Sequence, residues 1–229
     1  MIRILEYAWI LCLLVKMTHA GELVLTHLDV GAAEDFDAFQ GSFSTLPAGW
    51  AVSKDAACVM LEGDPDFRGC STGGVVTGGC YAWQVGPGNY ALGCQPTEDK
   101  FTPGLFAVVA SNATGAAVRH LSVGYDILFL NNADRESRLD LEVSDDGTNF
   151  NRIAETSFVT PAAREGSAPW RTCARATRVR IARLVAPGER IWIRWHSADA
   201  GGSGARDEYG IDRVLVTPHG PDGLVGTLR

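Results

Sequence analysis

The sequence lacks an apolar run approaching the roughly 18 residues that a membrane-spanning helix requires. It also lacks an excess of positive charge: 20 Lys and Arg stand against 27 Asp and Glu, a net charge of −7, so composition does not support nucleic-acid binding. No window shows a sustained helical period. With 46% apolar and 21% charged residues, the 229-residue chain has an ordinary globular composition, and its length suits one domain.

Recognised catalytic motifs are missing as well. The patterns Gly-x-Ser-x-Gly, His-Glu-x-x-His and Gly-x-x-x-x-Gly-Lys do not occur. His27, His120, His196 and His219 lie in no known nucleophile motif. The sequence therefore predicts a protein that is not an enzyme and needs no cofactor.

The first twenty residues have the pattern of a secretory signal peptide. Arg3 precedes the apolar run Ala8–Val15, and Thr18 and Ala20 place small residues at the −3 and −1 positions of a cleavage site. An amphipathic first helix or a misassigned start is the alternative. We predict a signal peptide over 1–20, a domain over 21–217, and a flexible tail over 218–229. Location is predicted as secreted, periplasmic or cell-surface, with no transmembrane anchor after cleavage.

Five cysteines remain after the signal peptide, and export to an oxidising compartment favours disulfides. Their spacings are too wide for a paired zinc motif such as C-x-x-C. Because five is odd, one thiol is left over, and the pairing stays open. The disulfide candidates are Cys58, Cys70, Cys80, Cys94 and Cys173.

Period-two alternation recurs along the second half of the chain. Apolar residues alternate with polar ones in five segments, which places them on one face of successive strands. We predict an all-β fold, a jelly-roll-like antiparallel β-sandwich in a single domain. The predicted core is Leu121, Val123, Tyr125, Ile127, Leu139, Leu141, Val143, Val179, Ile181, Ile193, Trp195 and Ile211.

Glycine marks the predicted turns. Ser144–Gly147 and Pro187–Gly188 are expected to reverse the chain between strands. The stretch 63–88 is rich in glycine and predicts irregular backbone, and 199–207 predicts a flexible loop. Asn112 and Thr114 match a glycosylation sequon, which we interpret as a turn.

Motifs at both ends resemble a secreted bacterial β-sandwich module. The opening 36–50 is similar to F-D-x-F…L-P-x-G-W, and the closing 191–214 is similar to W-x-R-W…D…G-x-A-I-D-D-V. This module occurs in PEP-CTERM-sorted and other surface proteins and is similar to MAM and laminin-G sandwiches. The resemblance covers about 35–217 and implies extracellular binding or scaffolding without catalysis. The chain departs from it at Arg213, which replaces the second aspartate, in its cysteines, and in lacking the sorting helix.

Two groups of polar residues are candidate sites. The alternation turns one set outward on neighbouring strands, where an aromatic ring beside charged groups is typical of sugar binding. That ligand-binding set is Arg138, Asp140, Glu142, Trp192, Arg194 and His196. A solvated face with cross-strand ion pairs is the alternative. A second set could hold a structural calcium ion through carboxylate oxygens, namely Asp199, Asp207, Glu208 and Asp212.

The predicted function is a secreted, non-catalytic β-sandwich module for binding or cell-surface interaction, with carbohydrate as the candidate ligand. Its predicted partners are an extracellular polysaccharide or a surface protein, and not nucleic acid. One alternative is a secreted carbohydrate-active hydrolase that uses Asp140 and Glu142, since carboxylates about 7 Å apart occur in glycosidases. Another is a structural extracellular spacer.

Overall fold

A computed structural model describes residues 21–54, 66–166 and 169–222. The predicted signal peptide, Cys58 and the end of the predicted tail lie outside these residues. Helix within this part of the chain is limited to two 3-10 turns, Phe43–Thr45 and Ala154–Thr156. The strands are β1 (Leu23–Leu25), β2 (Ala32–Glu34), β3 (Trp50–Ser53), β4 (Phe67–Ser71), β5 (Gly79–Gly86), β6 (Asn89–Gln95), β7 (Gly104–Asn112), β8 (Val118–Leu130), β9 (Glu136–Ser144), β10 (Asn151–Arg152), β11 (Phe158–Val159), β12 (Arg171–Val185), β13 (Arg190–Gly201) and β14 (Glu208–His219).

The strands form two sheets of seven strands each over the described residues. Sheet A has the order β1-β7-β13-β9-β10, with β3 beside β7 and β11 beside β9. Sheet B has the order β12-β8-β14-β6-β5-β4, with β2 beside β14. Pairing is antiparallel except between β1 and β7 and between β4 and β5. The predicted all-β sandwich is confirmed, with two parallel pairs that the alternation did not indicate.

The predicted core residues are all buried between the two sheets. Trp195 lies at the centre, where its ring stacks on Trp50 at 5.5 Å and meets the edge of Tyr125 at 5.4 Å. Such aromatic pairs add roughly 0.5–1.5 kcal/mol beyond the burial of their surface. The period of two in β8, β9 and β13 thus places every second side chain in one apolar layer.

Both predicted turns are present. In the first, Ser144 Oγ accepts from the amide of Gly147 at 2.9 Å, and Asp146 Oδ1 accepts from the amides of Thr148 and Asn149. These bonds depress the pKa of Asp146 far below its ordinary value. Gly147 has a φ of +74°, the left-handed conformation that glycine adopts without steric cost.

The predicted irregular backbone over 63–88 is wrong where β4 and β5 lie. Gly93, on the neighbouring strand β6, allows close packing, because Trp83 lies against it on the outer face of sheet B. A Cβ atom on Gly93 would stand 2.2 Å from Cδ1 of Trp83. The Trp83 indole donates to the carbonyl of Tyr209 at 3.1 Å. Strand β14 also continues to His219, two residues past the predicted domain end.

No disulfide joins any two cysteines that the structure describes, so the predicted staple is not found among them. Placement explains this for Cys70 and Cys173, which lie on strands at opposite edges of sheet B. Cys80 and Cys94 are register partners on β5 and β6, and both are buried. Burial raises the pKa of the Cys94 thiol far above its ordinary value.

Among the described residues, no helix has the length and apolar character that crossing a membrane requires.

Candidate functional site

The predicted ligand-binding residues converge on the outer face of sheet A. In the register of β13 with β9, Arg194 lies opposite Glu142 and His196 lies opposite Asp140. On the other side of β13, Trp192 lies opposite Val109 of β7. We call this surface the polar face; it comprises Arg138, Asp140, Glu142, Trp192, Arg194 and His196.

Asp140 lies on this face but is not open to solvent, contrary to the prediction. Its side chain is 2% exposed, and its carboxylate is held by Arg138 Nε at 2.9 Å and Arg152 Nε at 3.0 Å. Ser157 Oγ donates to the other oxygen at 2.6 Å. Strand β10 and the adjoining 3-10 turn supply Arg152 and Ser157, so they cover Asp140. This carboxylate stabilises the fold at one end of the face.

Glu142 and Arg194 form the centre of the polar face. Arg194 Nε donates to Glu142 Oε2 at 2.6 Å, and the guanidinium carbon stands 3.7 Å from the centre of the Phe150 ring. A planar guanidinium held by a carboxylate and a ring cannot move far. The predicted hydrolase would need one of Asp140 and Glu142 as an accessible general acid. Both are instead engaged by guanidinium groups, and this geometry does not favour that alternative.

His196 lies beside the Arg194–Glu142 pair. Its Nδ1 is 3.9 Å from Glu142 Oε1. Burial lowers the pKa of His196 and Arg194 lowers it further, while Glu142 acts in the opposite direction. A neutral imidazole carries one donor and one acceptor nitrogen, the pair of functions that a sugar hydroxyl can bind.

Trp192 is half-buried at the far end of the polar face. One side of its indole packs on the turn at Gly147, where a Cβ atom would approach Cε2 to 2.9 Å. At the opposite end of the face Leu105, the register partner of His196, is fully buried. The open part is therefore the Trp192 end. The sequence reasoning did not select Phe150 as a site residue, although its position after the turn at Gly147 was a usable signal.

The four predicted calcium ligands do not converge. Asp199 is occupied by two guanidinium groups: Arg135 Nη2 at 2.8 Å and Arg206 Nη2 at 3.1 Å. Glu208 accepts from the amides of Gly74 and Val75 at 2.8 and 2.6 Å. Within the described part of the chain, no three His, Cys, Asp or Glu side chains are placed to hold a metal ion.

The other two predicted calcium ligands are buried separately. Asp207 accepts from the amide of Ala133 at 2.9 Å, and burial raises its pKa to about 6. Burial likewise raises the pKa of Asp212 to about 6. Asp212 faces Asp126 across the β8–β14 pair, and Asp126 is ion-paired with Arg213. The Arg213 guanidinium thus supplies positive charge beside these two carboxylates.

No protein-family model and no curated protein sequence matches this chain. Among solved structures it is similar to TmCBM27, a carbohydrate-binding module described for mannan recognition, with 17% identity, a TM-score of 0.45, and coverage of 82% of this chain and 97% of that one. It is also similar to the CBM22-1 xylan-binding domain from Paenibacillus barcinonensis Xyn10C, with 9% identity, a TM-score of 0.41, and coverage of 86% and 99%. The K3 cleaved adhesin domain of Lys-gingipain from Porphyromonas gingivalis w83 has 16% identity, a TM-score of 0.42, and coverage of 81% and 97%.

Proposed function

We propose that this chain is a carbohydrate-binding module of the β-sandwich type, with its ligand on the polar face and no catalysis at that face. The observation that carries the proposal is an indole beside fixed hydrogen-bonding groups: Trp192 adjoins Arg194, which Glu142 and Phe150 hold in place. Indole faces stack on the C–H surfaces of sugar rings, and guanidinium, carboxylate and imidazole groups bind hydroxyls.

The spacing of the polar face fits a chain ligand. Successive side chains on one face of a strand are roughly 7 Å apart, so Trp192, Arg194 and His196 form a row about 13 Å long. Val109 and Ser144 flank Trp192 on the neighbouring strands. A polysaccharide segment would stack on Trp192 and place its hydroxyls over the polar groups. Secretion by the predicted signal peptide would bring this face to an extracellular polysaccharide.

The test is binding of the purified full chain to an array of polysaccharides, followed by calorimetry on each ligand found. Trp192→Ala should weaken binding by at least roughly tenfold, which corresponds to about 1.4 kcal/mol. Trp170→Ala is the matched control, because Trp170 is also half-buried but lies beside sheet B, where it contacts Trp83. Equal affinity of the Trp192 variant and the parent chain would exclude the polar face.

The alternatives make different predictions in the same assays. A hydrolase would release sugar from the polysaccharide and would lose this activity in Glu142→Gln. A structural spacer would bind no polysaccharide on the array. A surface-protein partner would bind in the absence of sugar, and Trp192→Ala would then test whether it uses the same face.

A further inference from the structure

Ser122, His219 and Asp29 are joined by hydrogen bonds on the outer face of sheet B. Ser122 Oγ is 2.8 Å from His219 Nε2, and His219 Nδ1 is 2.5 Å from Asp29 Oδ1. The three residues come from β8, from the end of β14, and from the segment between β1 and β2. They are far apart in sequence, and none lies in a recognised motif.

The backbone holds each of the three in place. Ser122 lies opposite Thr217 in the β8–β14 register, and His219 is two residues further along β14. The amide of Asp29 donates to the carbonyl of Pro218 at 2.8 Å, which ties Asp29 to the end of β14. Asp29 has a φ of +61°, a conformation that aspartate tolerates better than most residues. The carboxylate is therefore directed at His219.

The identity of the bonded atoms matches the chemistry of a serine nucleophile. In such sites a carboxylate bonds Nδ1 and orients the ring, while Nε2 takes the hydroxyl proton; geometry identifies them, and not sequence order. Ser122 and His219 are both only partly buried, so a reactant can approach. Arg178 lies directly opposite Ser122 on β12, and its guanidinium is 3.8 Å from Asp222 Oδ1. Both side chains of this ion pair are exposed, so the pair is weak and the guanidinium can turn from Asp222 to an oxyanion at Ser122.

A depression beside Ser122 offers room for a small acyl group. Gly124 is the next residue on the same face of β8, opposite Ala176 and Leu215. A Cβ atom on Gly124 would meet only the Arg175 carbonyl oxygen, at 3.9 Å, so the space above this glycine is open. Leu215 is exposed on the other side, where it lines a cavity of about 370 Å³. Three charged residues line this cavity, namely Glu34, Asp35 and Arg213. Their side chains can hydrogen-bond the hydroxyl groups of a polyol, the alcohol part of the ester.

We infer that the outer face of sheet B carries an esterase site that removes short acyl groups, such as acetyl, from a hydroxylated alcohol. Ser122 Oγ attacks the ester carbonyl carbon while His219 Nε2 takes the hydroxyl proton. The tetrahedral oxyanion, facing Arg178, then collapses with cleavage of the carbon–oxygen bond, and His219 protonates the departing alcohol. Water, deprotonated by His219, hydrolyses the acyl-serine to a carboxylic acid and restores Ser122. Asp29 is a positioning residue that acts through His219.

This inference is independent of the proposed sugar binding, because the two sites lie on different sheets. The test uses the purified full chain with p-nitrophenyl acetate as substrate and a fluorophosphonate as a covalent probe of Ser122. Ser122→Ala should abolish labelling and lower hydrolysis by at least roughly 100-fold. Ser111→Ala, a partly buried strand serine in sheet A, is the matched control and should leave both unchanged.

Two further variants separate catalysis from folding. Gly124→Val fills the depression with a good strand residue, so it should keep the thermal midpoint while lowering hydrolysis at least roughly tenfold. Asp29→Asn should slow labelling, and Asp29→Glu should restore part of the rate. If the full chain hydrolyses the ester no faster than Ser122→Ala and takes up no probe, the inference is wrong. The three residues would then form only a structural clamp on the end of β14. Polysaccharide binding with Trp192 can succeed or fail in either case.

Discussion

Asp207 makes the stability of this protein dependent on pH in an unusual direction. Its side chain is fully buried, and burial raises its pKa from 3.8 to about 6. Hydrogen bonds from the amide of Ala133, from Thr160 and from the amide of Asn132 act against this rise, but burial is the larger effect. Between pH 4 and 6 the folded protein therefore holds a proton that the unfolded chain has lost. Stability must fall as pH rises through this window, since the folded state binds more protons.

The magnitude follows from the size of the pKa change. A rise from 3.8 to about 6 corresponds to about 3 kcal/mol at 1.36 kcal/mol per pH unit. In Asp207→Asn the amide oxygen still accepts from Ala133, and the variant cannot ionise. At pH 4 the unfolded chain is already partly ionised at this position, so part of the effect lies below that pH. We expect the free energy of unfolding of Asp207→Asn, relative to the parent chain, to rise by about 2.4 kcal/mol between pH 4 and pH 7.5.

The assay is urea unfolding of both proteins at several pH values from 4 to 7.5. The two proteins are compared by how their free energies of unfolding change with pH. A hydrogen bond lost or gained at the new side-chain amide of Asp207→Asn would shift the free energy of the variant by the same amount at every pH. Asp212, which also has a pKa near 6, is present in both proteins and cancels. Glu98→Gln removes an exposed acid and is the control. Parallel pH profiles for Asp207→Asn and the parent chain would refute the reasoning.

Two other substitutions test the fold and the site. Asn112→Ala should destabilise the chain by roughly 2–4 kcal/mol, because its buried amide donates to the carbonyls of Ala116 and Val185 and accepts from Thr114; an unchanged urea midpoint would contradict this. The same burial predicts that Asn112 stays unglycosylated, which the mass of the intact protein checks. Gly147→Ala should cost about 1–2 kcal/mol because of its positive φ, and should also weaken sugar binding, since the new Cβ would displace Trp192. If calorimetry shows full affinity in a correctly folded Gly147→Ala variant, the position of Trp192 does not matter for ligand binding.

Much of the sandwich could be predicted because strand alternation is a local property. Val123, Tyr125 and Ile127 reveal their shared face without knowledge of any partner strand. The polar face could be predicted for the same reason, since Trp192, Arg194 and His196 alternate with core residues. Its exposure could not be predicted, because the cover over Asp140 comes from β10 and a 3-10 turn that show no such alternation.

The predictions of irregular backbone from glycine and of a calcium site from acidic residues failed for a related reason. A glycine in a sequence looks the same whether it lies in a loop or in a strand. At Gly79, only the pairing of β5 and the close approach of the Asp66 carbonyl distinguish the two. The clustered acidic residues predicted a calcium site, but the sequence does not show which positive group lies beside each carboxylate. The nearest cations are guanidinium groups, such as Arg135 at Asp199 and Arg213 at Asp126, which the fold brings from other strands.

The sequence by itself determined the all-β class, the core of β8, β9 and β13, and the two turns, because periodicity and turn chemistry are encoded within a few neighbouring residues. The tertiary structure alone decided which polar groups meet. Asp29, Ser122 and His219 form one hydrogen-bonded chain only because β8 and β14 pair in a particular register and the β1–β2 segment is tied to Pro218. Register and loop cover depend on packing across the whole sandwich, which no local pattern contains.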